Sequence, residues 1–429
     1  MTLKSYEEAI EWIHGTLRLG IKPGLARIEY IMEKLNHPEK ANKWIHIAGT
    51  NGKGSTLTFI RNCVEEAGYT TGTFTSPYIE TFNERISVNG KPISDDKILI
   101  LANRLKPIAE ELKNTIYGPP SEFEIITAMM FLYFAEYDSI DIGIIEVGLG
   151  GRLDSTNILL PLVSVITTIG MDHMEFLGNT IEEIASEKAG IIKPGTPVIS
   201  GVIQSEAQEV IKAIASKNKA NFAQLNQDFF IQLDGKTATF KTKHGEEIVD
   251  LVIGLDGFHQ LNNASLAIKV IQYLNTYSSY DIDEKAIKAG LKKAFWPGRM
   301  ETISEKPLII VDGAHNPEGI ETLKHSINRF SGHKIIIVSI LKDKNYKEML
   351  SSLKSIPDCE IILTTFDYSR AMSAQETINI GKLEDIAVNP VWHDAIDDTV
   401  QSKNDSKIFI TGSLYFISEV RKFVFNHLA

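Results

Sequence analysis

Trp44-Ile45-His46-Ile47-Ala48-Gly49-Thr50-Asn51-Gly52-Lys53-Gly54-Ser55-Thr56 sets five largely apolar residues against a glycine-rich turn, and an apolar helical pattern over residues 55–67 follows. A short buried run, a glycine turn and a helix in that order make a β-turn-α unit. The chemistry of the turn is legible in its residues. Glycines let backbone N–H groups curl round a phosphate, the helix N-terminus adds partial positive charge, and Lys53 adds a full one. Ser55 or Thr56 offers a hydroxyl to Mg²⁺. Gly49, Thr50, Asn51, Gly52, Lys53, Gly54, Ser55 and Thr56 are therefore candidate nucleotide-binding residues. The spacing departs from the standard G-x-x-x-x-G-K-[ST] loop: Gly49 and Gly52 stand closer together, and Gly54 separates Lys53 from Ser55. A ligand-free glycine turn is the alternative.

Outward from this unit, short apolar runs alternate with helical patterns, which reads as an α/β fold with parallel strands. Further strands are expected at 71–74, 142–147, 163–169 and 197–200, with a buried helix at 122–137. After the turn-rich Trp296-Pro297-Gly298-Arg299 a second series begins, with strands at 307–311, 334–340, 360–365 and 407–411. The chain is thus expected to form two domains, 1–295 and 296–429, the second Rossmann-like. Residues 229–252 alternate apolar and polar as an antiparallel hairpin or meander would. The length of 429 residues supports the division, since single cores stop growing at roughly 250 to 300.

If a nucleotide sits at the strand ends, later strands should deliver acidic or imidazole groups to the same edge. Ile142-Gly143-Ile144-Ile145-Glu146-Val147 places a carboxylate in a buried apolar run, which is unfavourable unless it is paired or binds a cation. Glu146 is thus a metal candidate, and His173, in Gly170-Met171-Asp172-His173, is another. Ser76 follows the strand at 71–74 and offers a further hydroxyl. Arg152 and Asp154, in the glycine turn after Glu146, are equally consistent with a structural ion pair. Lys188, near the end of a helix that Gly190 terminates, reads from its position as a solvated side chain favoured by the helix dipole.

Composition narrows the class. Hydrophobic residues at 43% and charged ones at 23% suit a chain that buries a core without being membrane-like. No apolar run approaches the roughly 18 residues that cross a bilayer, and the opening residues lack a secretory pattern, so a cytoplasmic protein is expected. Cys63 and Cys359 are too few and too far apart for a metal cluster or disulfide framework. A net charge of −11 argues against a nucleic-acid or anionic-membrane surface, so an anionic ligand must be held locally.

The compressed loop resembles the nucleotide loop of the Mur-ligase superfamily, and the segments together resemble the folylpolyglutamate synthase family within it. The motifs span nearly the whole chain: GTNGKGS from Gly49, TSPYIETFNERI from Thr75, EVGLGGRLDSTN from Glu146, TIGMDHMEFLG from Thr168, SEKAGIIKPG from Ser186, HQLNNASLA from His259, WPGRME from Trp296, DGAHNPEG from Asp312 and GSLYFISEV from Gly412. The resemblance implies a P-loop ATPase-like Mur-ligase domain followed by a smaller Rossmann-like domain. By it, Ser55, Ser76, Glu146 and His173 would ligate Mg²⁺, a pair of ions being expected with K⁺ as a further candidate, and Lys188 would be carbamylated. Asn263, Arg299, Asp312 and His315 would serve ATP. Ser76, Pro77, Tyr78, Phe82, Arg85, Arg152 and Asp154 would lie near the folate, with Lys53, Lys188, His173 and Asp154 as the catalytic set.

The implied reaction is ATP-dependent addition of L-glutamate to a reduced folate through an acyl phosphate, by a cytoplasmic monomer without nucleic-acid or membrane partners. Tyr78 departs from the His that follows Ser-Pro in many members that also make dihydrofolate from dihydropteroate, which bears on that second activity. The rival within the superfamily is a peptidoglycan-precursor ligase, which shares the loop but not TSPYIETFNERI or EVGLGGRLDSTN.

Overall fold

The structure, a computed structural model, describes residues 2–16, 23–402 and 406–427. Met1 and Ala429, the outer limits of the two expected domains, lie outside them. The chain divides into two compact units, Met1–Gly254 with Leu261–Ala294, and Leu255–Gln260 with Phe295–Ala429.

The first unit is built on an eight-stranded sheet. Its strands are β1 (Trp44–Ala48), β2 (Thr71–Phe74), β3 (Ile86–Val88), β4 (Lys91–Pro92), β5 (Ile142–Glu146), β6 (Val163–Ile166), β7 (Val198–Ser200) and β8 (Phe222–Gln224), in the order β4-β3-β2-β5-β1-β6-β7-β8. From β2 to β8 the neighbours run parallel; β3 and β4 add an antiparallel edge. Every residue of β1 and β5 is buried, as expected where helices cover both faces of a parallel sheet. One core gathers Trp44, Phe74 and Ile145 with the helices Asp95–Lys113 and Glu122–Glu136; another gathers Ala48, Val147 and Ile166 with the helices Ile181–Ala189 and Ser205–Lys217. The expected hairpin is a separate three-stranded antiparallel sheet, β9 (Phe229–Asp234), β10 (Thr237–Thr242) and β11 (Glu247–Leu251).

Some boundaries differ from the sequence pattern, for local reasons. The helix after β1 is Lys53–Glu66, starting two residues early because Gly52, at φ 87°, turns the chain directly into it. β6 ends at Ile166 rather than 169: Thr167 N makes a last bond to Ala48 O, and the hydroxyls of Thr167 and Thr168 then turn to Asn51 O in the glycine turn.

The second unit carries a six-stranded sheet of β12 (Glu301–Glu305), β13 (Leu308–Val311), β14 (Lys334–Val338), β15 (Cys359–Thr365), β16 (Ala387–Val391) and β17 (Lys407–Thr411), in the order β12-β13-β17-β14-β15-β16. Only β12 is antiparallel to its neighbour. The unbroken apolar run of β14 is explained by its two covered faces. Ile336 and Val338 pack with the helices Pro317–Ile327 and Tyr346–Lys354, whereas Ile335 and Ile337 pack with Trp392–Ser402 and Leu414–His427. Arg421 and Glu301, both buried, pair at 2.8 Å (Nε–Oε2) and 2.9 Å (Nη2–Oε1), and Glu301 Oε2 also accepts from Gly298 N at 2.7 Å, which holds the turn before β12.

Candidate active site

Strand order in the first unit decides which loops meet. β5 lies between β1 and β2, with Glu146 in register with Ile47, so its carboxylate emerges between the glycine turn after β1 and Ser76 after β2. Lys53 Nζ lies 3.7 Å from Glu146 Oε1, and Ser76 N donates to Oε2 at 3.3 Å. Glu146 is 5% exposed. Ser55 and Thr56, the first hydroxyls of the helix, are buried at its N-terminal turn.

The turn is braced by the exit of β6. Thr50 N donates to Thr168 O, Asn51 N to Thr168 Oγ1, and the hydroxyls of Thr167 and Thr168 donate to Asn51 O at 2.6 and 3.0 Å. Lys53 Nζ donates to Gly49 O at 3.0 Å. A side chain at Gly49 would bring a Cβ within 1.9 Å of Thr167 Oγ1, so glycine is required there by the close approach of β6. Asn263, in the helix Phe258–Tyr277, reaches the same turn: its Oδ1 accepts from Thr56 Oγ1 at 3.5 Å and would crowd a Cβ on Gly52. Thr167 and Thr168 were not singled out from the sequence; two threonines at a strand's exit are the signal that was available.

The position-based reading of Lys188 does not hold, for it is 4% exposed. The helix Ile181–Ala189 turns Ile184, Ala185 and Lys188 inward, and its last turn packs so closely on the loop after β5 that a Cβ on Gly151 would meet the carbonyl oxygens of Glu187 and Lys188 at 2.8 and 2.9 Å. Burial, reinforced by the positive charge of Lys53, pushes the Lys188 amine down to about 7, while Asp172 and Asp154 oppose that shift. The suggested ion pair between Arg152 and Asp154 is also absent. Arg152 bridges to Glu187 at 2.7 Å, because the turn aims its side chain along the helix surface. Asp154 is buried and accepts from Leu149 N at 2.8 Å and from Thr156 N at 3.0 Å and Oγ1 at 2.5 Å; burial raises its carboxyl above the usual range, which these donors oppose. His173 has φ 52° and caps a four-residue helix, its Nε2 3.9 Å from Asp172 Oδ2. Among the described residues no group of three or more His, Cys, Asp or Glu side chains is arranged to hold a metal ion.

Residues 76–85 form a second cluster. Arg85 lies over the Tyr78 ring at 5.1 Å and the Phe82 ring at 5.7 Å, and pairs with Glu122 at 3.4 Å. Glu122 also meets His14 at 3.2 Å, and His14 packs edge-on against Phe82. The loop is held by Glu84, whose carboxylate collects the N–H groups of Ile79, Glu80 and Thr81. His14 and Glu122 were missed because they come from distant helices.

In the second unit, Asp312 is buried, accepting from Met300 N and Ala314 N, each at 2.9 Å; burial pushes its carboxyl up, and the charge of Arg299 pulls it back. His315 lies alongside, its Nδ1 2.8 Å from Gly313 O. His259 is held down to about 4 by burial and then by Arg299.

Two family models match: Mur ligase middle domain over residues 105–271, and Mur ligase, glutamate ligase domain over residues 298–414. The chain is 48% identical to the dihydrofolate synthase/folylpolyglutamate synthase of Bacillus subtilis, covering 97% of this chain and 99% of the relative. It is 34% identical to the folylpolyglutamate synthase of Lacticaseibacillus casei over 97% and 98% of the two chains. Among solved structures, an FPGS–AMPPCP–folate complex superposes with a TM-score of 0.87 at 33% identity over 98% of this chain and all of that one. A Mycobacterium tuberculosis folylpolyglutamate synthase complexed with ADP and AMPPCP gives 0.86 at 29% identity over 97% and 98%.

Proposed function

The chain belongs to the folylpolyglutamate synthase/dihydrofolate synthase family of Mur ligases, and from that premise we propose which of its residues perform each part of the reaction. It is an ATP-dependent ligase that adds glutamate to folate. A carboxylate does not react with an amine at neutral pH, so ATP first converts the folate's terminal carboxylate to an acyl phosphate. The α-amine of L-glutamate then attacks the acyl carbon, and phosphate leaves.

The observation that carries the assignment is the position of Glu146 between Lys53 and Ser76 at the sheet's C-terminal edge. Backbone N–H groups at the start of the helix Lys53–Glu66, together with the Lys53 side chain, hold the triphosphate and offset the charge developing on the transferring phosphoryl group. Asn263 steadies that turn, and the resemblance makes Arg299, Asp312 and His315 further candidates for serving the nucleotide. Mg²⁺ would be held by Glu146, Ser55, Ser76 and His173; the oxygen donors among them are the hard ligands it prefers, and the ion would neutralise phosphoryl charge when bound. Tyr78, Phe82 and Arg85 offer a flat apolar and cationic surface to the folate. The buried amine of Lys188, held near 7, is substantially neutral at physiological pH, the form that reacts with CO₂ to give a carbamate and release a proton. The substrates are small molecules, and we place the enzyme in the cytoplasm as a monomer.

The test is phosphate release from ATP by purified protein with L-glutamate and, in turn, tetrahydrofolate, dihydropteroate and a muramyl acceptor. Turnover with tetrahydrofolate is expected, and turnover with the muramyl acceptor alone would sink the assignment. The relative at 48% identity carries both activity names, which favours dihydropteroate as a second acceptor despite Tyr78.

A further inference from the structure

His46 is the one polar residue of β1, fully buried in a strand whose other members are Trp44, Ile45, Ile47 and Ala48. An aliphatic side chain would serve the sheet better. Nε2 lies 2.8 Å from Thr156 Oγ1, while Nδ1 has no hydrogen-bond partner among the described residues. Leaving a buried ring nitrogen unsatisfied is unfavourable, so the bond at Nε2 is what the imidazole contributes.

Hydrogen-bond accounting fixes the direction of that bond. Asp154 already receives two backbone N–H groups, from Leu149 and Thr156, and lies 2.5 Å from Thr156 Oγ1, the short range of a hydroxyl donating to a carboxylate. Thr156 has a single hydroxyl hydrogen, which goes to Asp154. Its oxygen must then accept from His46, which is accordingly the Nε2–H tautomer. Residues from two distant parts of the chain thus form one line, from His46 of β1 through Thr156 to the Asp154 carboxylate. Burial, aided by the charge of Lys193, holds the ring down to about 3, so it stays neutral throughout. The titratable groups around this line are Lys193 at the His46 end and Lys188 at the Asp154 end.

We propose that His46 and Thr156 are positioning residues for the ligase reaction: the imidazole N–H turns the Thr156 hydroxyl onto Asp154 and fixes that carboxylate at the reacting centre. The inference rests on the assignment of Asp154 and Lys188 to that centre. Neither residue touches substrate; both act through Asp154.

The experiment compares Thr156→Val, Thr156→Ser, His46→Leu, His46→Gln and Asp154→Asn in the phosphate-release assay at saturating substrates, with thermal melts of each. Thr156→Val and His46→Leu are expected to lower kcat by roughly 10–100-fold, the usual effect of removing an outer hydrogen-bond partner, with KM for ATP nearly unchanged. Thr156→Ser and His46→Gln, which keep a hydroxyl and a donor, should recover most of the loss. Nitrogen NMR of histidine-labelled enzyme should show, among the signals of the 11 histidines, a neutral Nε2–H ring that is lost in His46→Gln and is thereby assigned to His46. Full kcat in Thr156→Val beside an inactive Asp154→Asn would overturn the relay alone, as would an Nδ1–H ring, a change confined to KM, or a folded Thr156→Ser as impaired as Thr156→Val. Full activity in Asp154→Asn would instead remove Asp154 from the centre. If His46→Leu does not fold, His46→Gln and the Thr156 pair still decide the matter.

Discussion

Replacing Glu146 by Gln removes one negative charge from the proposed metal site while keeping the side chain's shape. The carboxylate lies 3.7 Å from Lys53 Nζ, an attraction of about 4 kcal/mol at an effective dielectric of ~20. Taking the carboxylate out of water opposes this by several kcal/mol, and Lys53 keeps Gly49 O as a partner at 3.0 Å in the variant. The two terms nearly cancel in the folded protein, so the melting temperature should move by no more than about 4 °C. The reaction has no such cancellation, because the charge is needed where phosphoryl charge develops. Loss of one such electrostatic contact lowers kcat by about 10²–10³-fold, or roughly 3–4 kcal/mol of barrier. The assay is phosphate release at saturating ATP, folate and L-glutamate, titrated with Mg²⁺, beside a thermal melt. Turnover within a few-fold of wild type, or a kcat loss matched by a fall of about 10 °C or more in melting temperature, well over twice the limit above, would refute the reasoning.

With the Lys188 amine lowered to about 7, its neutral fraction rises from roughly a tenth at pH 6 to roughly nine-tenths at pH 8, so at a fixed concentration of dissolved CO₂ the activation of CO₂-stripped enzyme should be about tenfold slower at pH 6. Lys188→Arg should show no bicarbonate response at all, read by the same assay. Gly151→Ala would press a Cβ on the carbonyls of Glu187 and Lys188; a stability loss of about 1–3 kcal/mol is expected by urea unfolding, with a fall in kcat as the Lys188 helix shifts. In the second unit Arg421→Met leaves Glu301 buried without its counter-charge, a loss of about 3–5 kcal/mol; the double variant Glu301→Leu/Arg421→Met should recover much of it in the same denaturation experiment.

Much of this was readable before any coordinates. Residues 44–56 announce a strand, a phosphate turn and a helix, because glycine placement and apolar runs are local signals. Glu146 stands out as a charge in an otherwise apolar strand. Lys188 was misread because its position in the helix's last turn is equally a solvated site; only the approach of Gly151 shows that this face is covered. His46 passed unnoticed, since a fully buried parallel strand has no alternation to mark which side chain meets Thr156, 110 residues away. Arg152 was given Asp154 as neighbour by proximity along the chain, whereas Glu187 is the neighbour in space.

The placement of β5 and β6 on either side of β1 has a consequence for how the molecule comes into being. During synthesis, Trp44–Ala48 emerges about a hundred residues before either lateral partner, since β2, made next, pairs with β5. A nascent chain of 130 residues therefore exposes an apolar strand with open edges and has no site for nucleotide, so ATP cannot stabilise it. The bracing of the glycine turn by Thr167 and Thr168 arrives only when the segment ending near Thr168 is released, and until then the open strand is exposed to the aggregation that unpaired edges invite.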